Sequence, residues 1–60
     1  MKLSTAKNIK VGDIVTVKYL GGEYKITQID ESRTTDKIIH FWSYNQTFNN
    51  KDIDKIVLHF

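Results

Sequence analysis

Residues 11–29 read V-G-D-I-V-T-V-K-Y-L-G-G-E-Y-K-I-T-Q-I, and the rest of the chain is organised around this stretch. Apolar and polar positions alternate over residues 14–20 and again over 23–29, with Gly21-Gly22 between the two runs. Strand side chains point to opposite faces at every second residue. Val15, Val17 and Tyr19 are therefore predicted on one face of a first strand, with Tyr24 and Ile26 facing them from a second. Glycine supplies the positive φ that a two-residue hairpin turn needs, so the reversal is predicted at Gly21-Gly22. Ile29 falls out of phase with Tyr24 and Ile26, which predicts a bulge or bend near Gln28. Gly12-Asp13 forms the entry turn, and Asp13 is expected to accept hydrogen bonds from turn amides.

The pattern continues with shorter elements. Residues 1–10 are a lead-in, in which Ser4 and Thr5 are expected to cap one helical turn. Residues 30–36, D-E-S-R-T-T-D, read as a solvated loop. A third strand is predicted over 37–42, with Ile39 and Phe41 inward and His40 and Trp42 outward. Tyr44 is expected near that outer side, a tight turn over 43–46, and a fourth strand from Thr47-Phe48. Residues 49–54 suit one helical turn capped by Asn50, with Ile53 plugging the interior. The last strand, 55–60, sets Ile56, Leu58 and Phe60 on one face and Val57 and His59 on the other.

Five short strands with a helical turn before the last make a familiar order. From G-D-I-V-T-V, through N-K-D-I-D, to K-I-V-L, the chain resembles the SH3-like small barrels of bacterial and phage proteins. KOW-type and integrase C-terminal domains belong to that group. The resemblance covers about residues 9–60 and implies an all-β, five-stranded closed barrel. It also implies a binding module, and such barrels bind peptides, RNA, DNA and partner proteins. An acidic specificity loop with paired aromatics, as used for PxxP ligands, is missing here.

Composition narrows the picture. Sixty residues make one small domain, and a chain of that size buries only about 60% of its unfolded surface. With no cysteine, neither a disulfide framework nor a thiolate metal site is available. The net charge of +2 is a small surplus, spread from Lys2 to Lys55 rather than clustered, so charge alone does not argue for a nucleic-acid coat. No apolar run approaches the roughly 20 residues needed to cross a bilayer, and the N-terminal M-K-L-S-T-A-K lacks a signal peptide's apolar centre. A soluble, cytoplasmic protein without membrane association is expected.

Candidate chemistry is sparse. His40 and His59 have no companion ligands at metal-site spacing, so no metal is expected. Ser4, Ser32 and Ser43 lack a nucleophile motif, Asp13 has no acid or histidine at suggestive spacing, and Gly21-Gly22 is not followed by G-K-[ST]. No enzyme activity and no cofactor are expected.

The informative segment is H-F-W-S-Y-N-Q-T-F, residues 40–48, which holds four aromatics. His40, Trp42 and Tyr44 are predicted to share a binding surface, with Lys18, Lys25 and Arg33 as its basic residues. Trp and Tyr are frequent hot-spot residues of protein interfaces, and they also stack single-stranded bases. The low net charge puts a protein partner ahead of nucleic acid. A small-ligand sequestering oligomer is the third reading. Ile14, Leu20 and Val57, apolar on nominally outer faces, predict self-association as a homodimer.

Overall fold

Strand alternation dictates a mostly β chain, and the computed structural model, which describes residues Met1–Phe60, has 45% of them in strands. A short helix α1 (Leu3–Ala6) precedes β1 (Ile14–Val17), β2 (Leu20–Lys25), β3 (Gln28–Asp30), β4 (His40–Ser43), β5 (Gln46–Asn49) and β6 (Ile53–Leu58). Two antiparallel three-stranded sheets result, ordered β2-β1-β6 and β3-β4-β5. There are six strands instead of five, and the sheets do not close into a barrel. The turn after β5 carries the chain to the free edge of β1, where β6 pairs, so no ladder joins β5 to β6.

The first hairpin reverses at Lys18-Tyr19, not at the glycines. Val17 lies opposite Leu20 and Thr16 opposite Glu23, so Gly21 and Gly22 are two extra residues bulging out of β2. Gly22 has a φ of 88°, a conformation open to glycine at little cost. The glycines thus serve a bulge instead of a turn, and Tyr19 stands exposed in the turn instead of on the core face.

The predicted second strand is cut in two at Ile26-Thr27. Ile26 still belongs to the first sheet: its N–H donates to Asp13 O at 2.8 Å, and Gly12 N–H donates to Ile26 O at 2.8 Å. Thr27 already belongs to the second, donating its N–H to Trp42 O at 2.9 Å. The bend expected near Gln28 therefore falls at this corner, and it returns Ile29 to pack against the core.

The core consists of Ala6, Ile9, Val15, Val17, Ile26, Ile39, Phe41, Phe48 and Ile53. In the second sheet Ile29, Phe41 and Phe48 form one cross-strand row, and Tyr24 meets Phe48 edge-on at 6.2 Å between ring centroids. Ile39 and Phe41 are buried as the alternation predicts.

Three local expectations need correction. Ser4 and Thr5 lie inside α1, whose N-cap position is Lys2, and no side chain caps it. Residues 50–52 form a single turn closed by Asp52 N–H to Asn49 O at 3.0 Å, not a helical turn capped by Asn50. The buried Asn50 instead accepts Ile39 N–H on its Oδ1 at 3.0 Å. Finally, β6 starts at the fully buried Ile53, and its register against β1 skips Asp54 and Val57. Those bulges turn Ile53 and Ile56 inward and leave Leu58 and Phe60 exposed, which breaks the predicted Ile56-Leu58-Phe60 face.

Candidate functional site

Central placement in a regular sheet orders the outer surface around Trp42. Because β4 pairs on both sides without a register shift, Gln28, Trp42 and Thr47 form one outward row, and Asp30, His40 and Asn49 form the next. Trp42 is half-buried, and its indole Nε1 donates to Asp30 Oδ2 at 3.0 Å. Ser32 Oγ donates to the other oxygen of the same carboxylate at 2.7 Å. The hydrogen bond from Ser32, then that from Trp42, hold the Asp30 carboxyl below its ordinary range against the opposing effect of burial, with Arg33 adding to the lowering. Residues 30–36, read as a solvated loop, thus begin on a buried carboxylate. Thr34 fastens the loop further: its hydroxyl donates to Asp30 O at 2.8 Å and accepts His40 N–H at 3.1 Å.

The β4–β5 hairpin turns through Tyr44-Asn45, because Ser43 lies opposite Gln46. Tyr44 has a φ of 55°, the only positive φ at a non-glycine residue, and the residue is 70% exposed. A bulky residue in this region is a true outlier, since asparagine or glycine fits the turn more readily. Its N–H donates to Thr27 Oγ1 at 2.9 Å, and that hydroxyl donates to Trp42 O at 3.2 Å, which ties the hairpin tip to the corner between the sheets.

The basic residues are dispersed. Arg33 belongs to the Asp30 loop, Lys25 lies opposite Ile14 in the first sheet, and Lys18 sits in the β1–β2 turn, its N–H donating to Asp52 O at 2.8 Å. The three apolar residues assigned to self-association are not one row either. Ile14 lies opposite Leu58, Leu20 lies opposite Val17 at the other end of β1, and Val57 is the bulge between Ile56 and Leu58.

A second polar centre had no local signal in the sequence. Asp13 is fully buried and is reached by a histidine 46 positions away: His59 Nδ1 lies 2.6 Å from Asp13 Oδ2. Lys10 N–H donates to the same oxygen at 2.9 Å, and Phe60 N–H donates to Oδ1 at 2.8 Å. Burial pushes this carboxyl up, but the hydrogen bonds from Phe60, Lys10 and His59 together outweigh it and hold the group below its ordinary range. Asp13 accepts a turn amide as expected, and it also fastens the last strand's exit to the lead-in. Beside His59 opens a groove of about 540 Å³ lined by Thr5, Lys7, Asn8, Lys10 and Ile56. Nowhere do three His, Cys, Asp or Glu side chains gather in a metal-holding group.

No protein-family model, curated protein or solved structure matches the chain. No helix is long and apolar enough to cross a membrane.

Proposed function

We propose that the chain is a non-catalytic interaction module that binds a partner protein through the Trp42–Tyr44 surface. Tyr44 carries the reading. A backbone conformation of this kind costs of order 1 kcal/mol or more at a bulky residue, and strain of that size concentrates at functional sites. Here it holds an exposed aromatic residue at a hairpin tip, two positions after Trp42, whose indole is oriented by Asp30. The hairpin tip fixes the Tyr44 backbone in advance, which removes part of the ordering cost of binding and favours the residue as an anchor. His40 extends the same face from the neighbouring row.

The charge distribution supports a protein partner ahead of nucleic acid. Asp30 puts a carboxylate directly beside Trp42, and of Lys18, Lys25 and Arg33 only Arg33 joins that cluster. On the fold, the reading remains an SH3-like arrangement. Residues 20–30 act as one long bent strand shared between the sheets, β6 returns to β1, and a short turn precedes it. In this reading the chain is a small bacterial or phage accessory protein that recruits or inhibits its partner.

Two measurements test the proposal. Immobilised parent protein and its Tyr44→Gly variant are incubated with host extract, and captured protein and nucleic acid are quantified by mass spectrometry. A protein captured by the parent and lost with Tyr44→Gly is expected. Quenching of the single tryptophan by single-stranded oligonucleotides, weakening steeply with salt as counterion release requires, would replace the protein partner with nucleic acid.

A further inference from the structure

The groove beside His59 lies apart from the Trp42 surface, and its wall is rich in donors. Lys7 and Lys10 supply two ammonium groups, Asn8 an amide and Thr5 a hydroxyl. Neither lysine is in an ion pair; the chain's one ion-pair contact is His59 with Asp13. The carboxylate that His59 contacts, Asp13, is fully buried, and both of its oxygens are engaged by Lys10, Phe60 and His59. It therefore does not offer an acceptor to the groove. What it does is orient the ring: with Nδ1 held at 2.6 Å, the nitrogen on the other side of the imidazole, Nε2, is left to the groove and solvent. The Asp13 carboxylate only accepts, so Nδ1–H donates to it; Nε2 is then an acceptor in the neutral ring and a donor in the imidazolium.

Size and charge select the ligand. A groove of about 540 Å³ lies within the range of small-molecule sites, roughly 300–1,000 Å³. Two ammonium groups and an imidazolium match a dianionic, tetrahedral oxyanion better than a single carboxylate, because with the ring protonated three donors can meet three oxygens. Ile56 is the one apolar lining residue, and it offers a contact for a non-polar body attached to the anion. We propose that this groove binds a small organic phosphate monoester, its phosphate held by Lys7, Lys10 and, in the imidazolium form, His59 Nε2–H, with its apolar part resting on Ile56. The lysines act as point charges, and the histidine fixes orientation because Asp13 fixes the histidine.

The test is an NMR titration of the ¹⁵N-labelled full chain, including the His59 ring nitrogens, with the titrants compared at matched ionic strength. Phenyl phosphate, inorganic phosphate and sodium chloride are the titrants. Phenyl phosphate should produce saturable shifts at Lys7, Lys10 and the His59 ring, and it should bind more tightly than inorganic phosphate, which lacks a group for Ile56. Lys7→Gln/Lys10→Gln, two exposed substitutions, should weaken binding at least about tenfold while leaving the rest of the spectrum in place. Shifts that chloride reproduces, or that survive in the double variant, would overturn the proposal. So would an oligonucleotide that moves the same resonances more strongly than phenyl phosphate, since the groove would then be reading a polymer's backbone.

Discussion

The two sheets are of equal strand number but are held by different means. In β3-β4-β5 every residue pair keeps register, so the alternation stays intact and Ile29, Phe41 and Phe48 pack as one row. In β2-β1-β6 the register shifts in both pairings, and the buried Thr16 hydroxyl is left without a partner. There the polar contacts of one buried carboxylate, Asp13, bring the β1 entry and the β6 exit together. A regular ladder is stabilised by apolar packing spread over many atoms. An irregular one leans on a few directional bonds, each costly to leave unmade inside the protein.

That contrast can be broken most severely in the second sheet. Phe41→Ala should cost about 3–5 kcal/mol, because it removes the largest fully buried side chain and leaves a cavity in the row. In a domain this small that approaches the whole stability, so urea titration should find the variant largely unfolded. A midpoint close to the parent's would mean that the row is not what holds the sheet.

Asp13→Ala attacks the other sheet and should cost about 1–3 kcal/mol, since it strands the amide donors of Lys10 and Phe60. Its pH signature is equally specific. The folded pKa values of Asp13 and Asp30 are depressed, so the folded protein holds these protons less tightly than the unfolded chain does. The stabilisation is complete above the unfolded value of about 3.9 and is lost as pH falls through the lower folded values. Thermal melts should therefore drop steeply on acidification, and Asp13→Ala should flatten part of that drop. An unaltered acid slope would assign the loss to other carboxylates.

The β2 bulge gives a finer comparison between neighbouring glycines. Gly22→Ala should cost about 1–2 kcal/mol, because its positive φ forces Cβ strain although the surroundings are open. Gly21→Ala, with open space and no positive φ, should be neutral or slightly stabilising in the same titration. Equal effects would place the bulge elsewhere. Tyr44→Gly should bring a comparably small change, a gain of no more than about 1 kcal/mol as released strain is offset by the added backbone freedom of glycine. Gained stability with lost partner capture would separate the residue's role in binding from any role in folding.

Legibility in the sequence follows where the extra residues sit. The inward positions of Val15, Val17, Ile26, Ile39 and Phe41 were readable because the bulged residues lie in β2 and β6, so a period of two survives along β1, along β4 and from Tyr24 to Ile26. Gly21-Gly22 misled because glycine signals backbone irregularity without saying whether the irregularity is a turn or a bulge. The β6 face failed for a related reason: each skipped residue, Asp54 and Val57, resets the alternation. Trp42 and Tyr44 stood out as candidates by residue type, yet the indole's bond to Asp30 and the tyrosine's positive φ belong to three-dimensional context. The Asp13–His59 pair left no trace, since residues 46 apart in sequence share no local pattern.

The return of β6 to β1 has a consequence for synthesis of the chain. Domains are built from the N-terminus at about 5–20 residues per second, and hairpins close within microseconds. The β1–β2 and β4–β5 hairpins can thus assemble as they emerge, but β1 pairs on its other side with residues 53–58. Until those residues leave the ribosome, the I-V-T-V segment presents one edge of bare N–H and C=O groups, flanked by β-branched side chains. The interval before residues 53–58 emerge is when β1 is most exposed to pairing with another nascent copy, and slow translation of residues 50–58 would lengthen that interval.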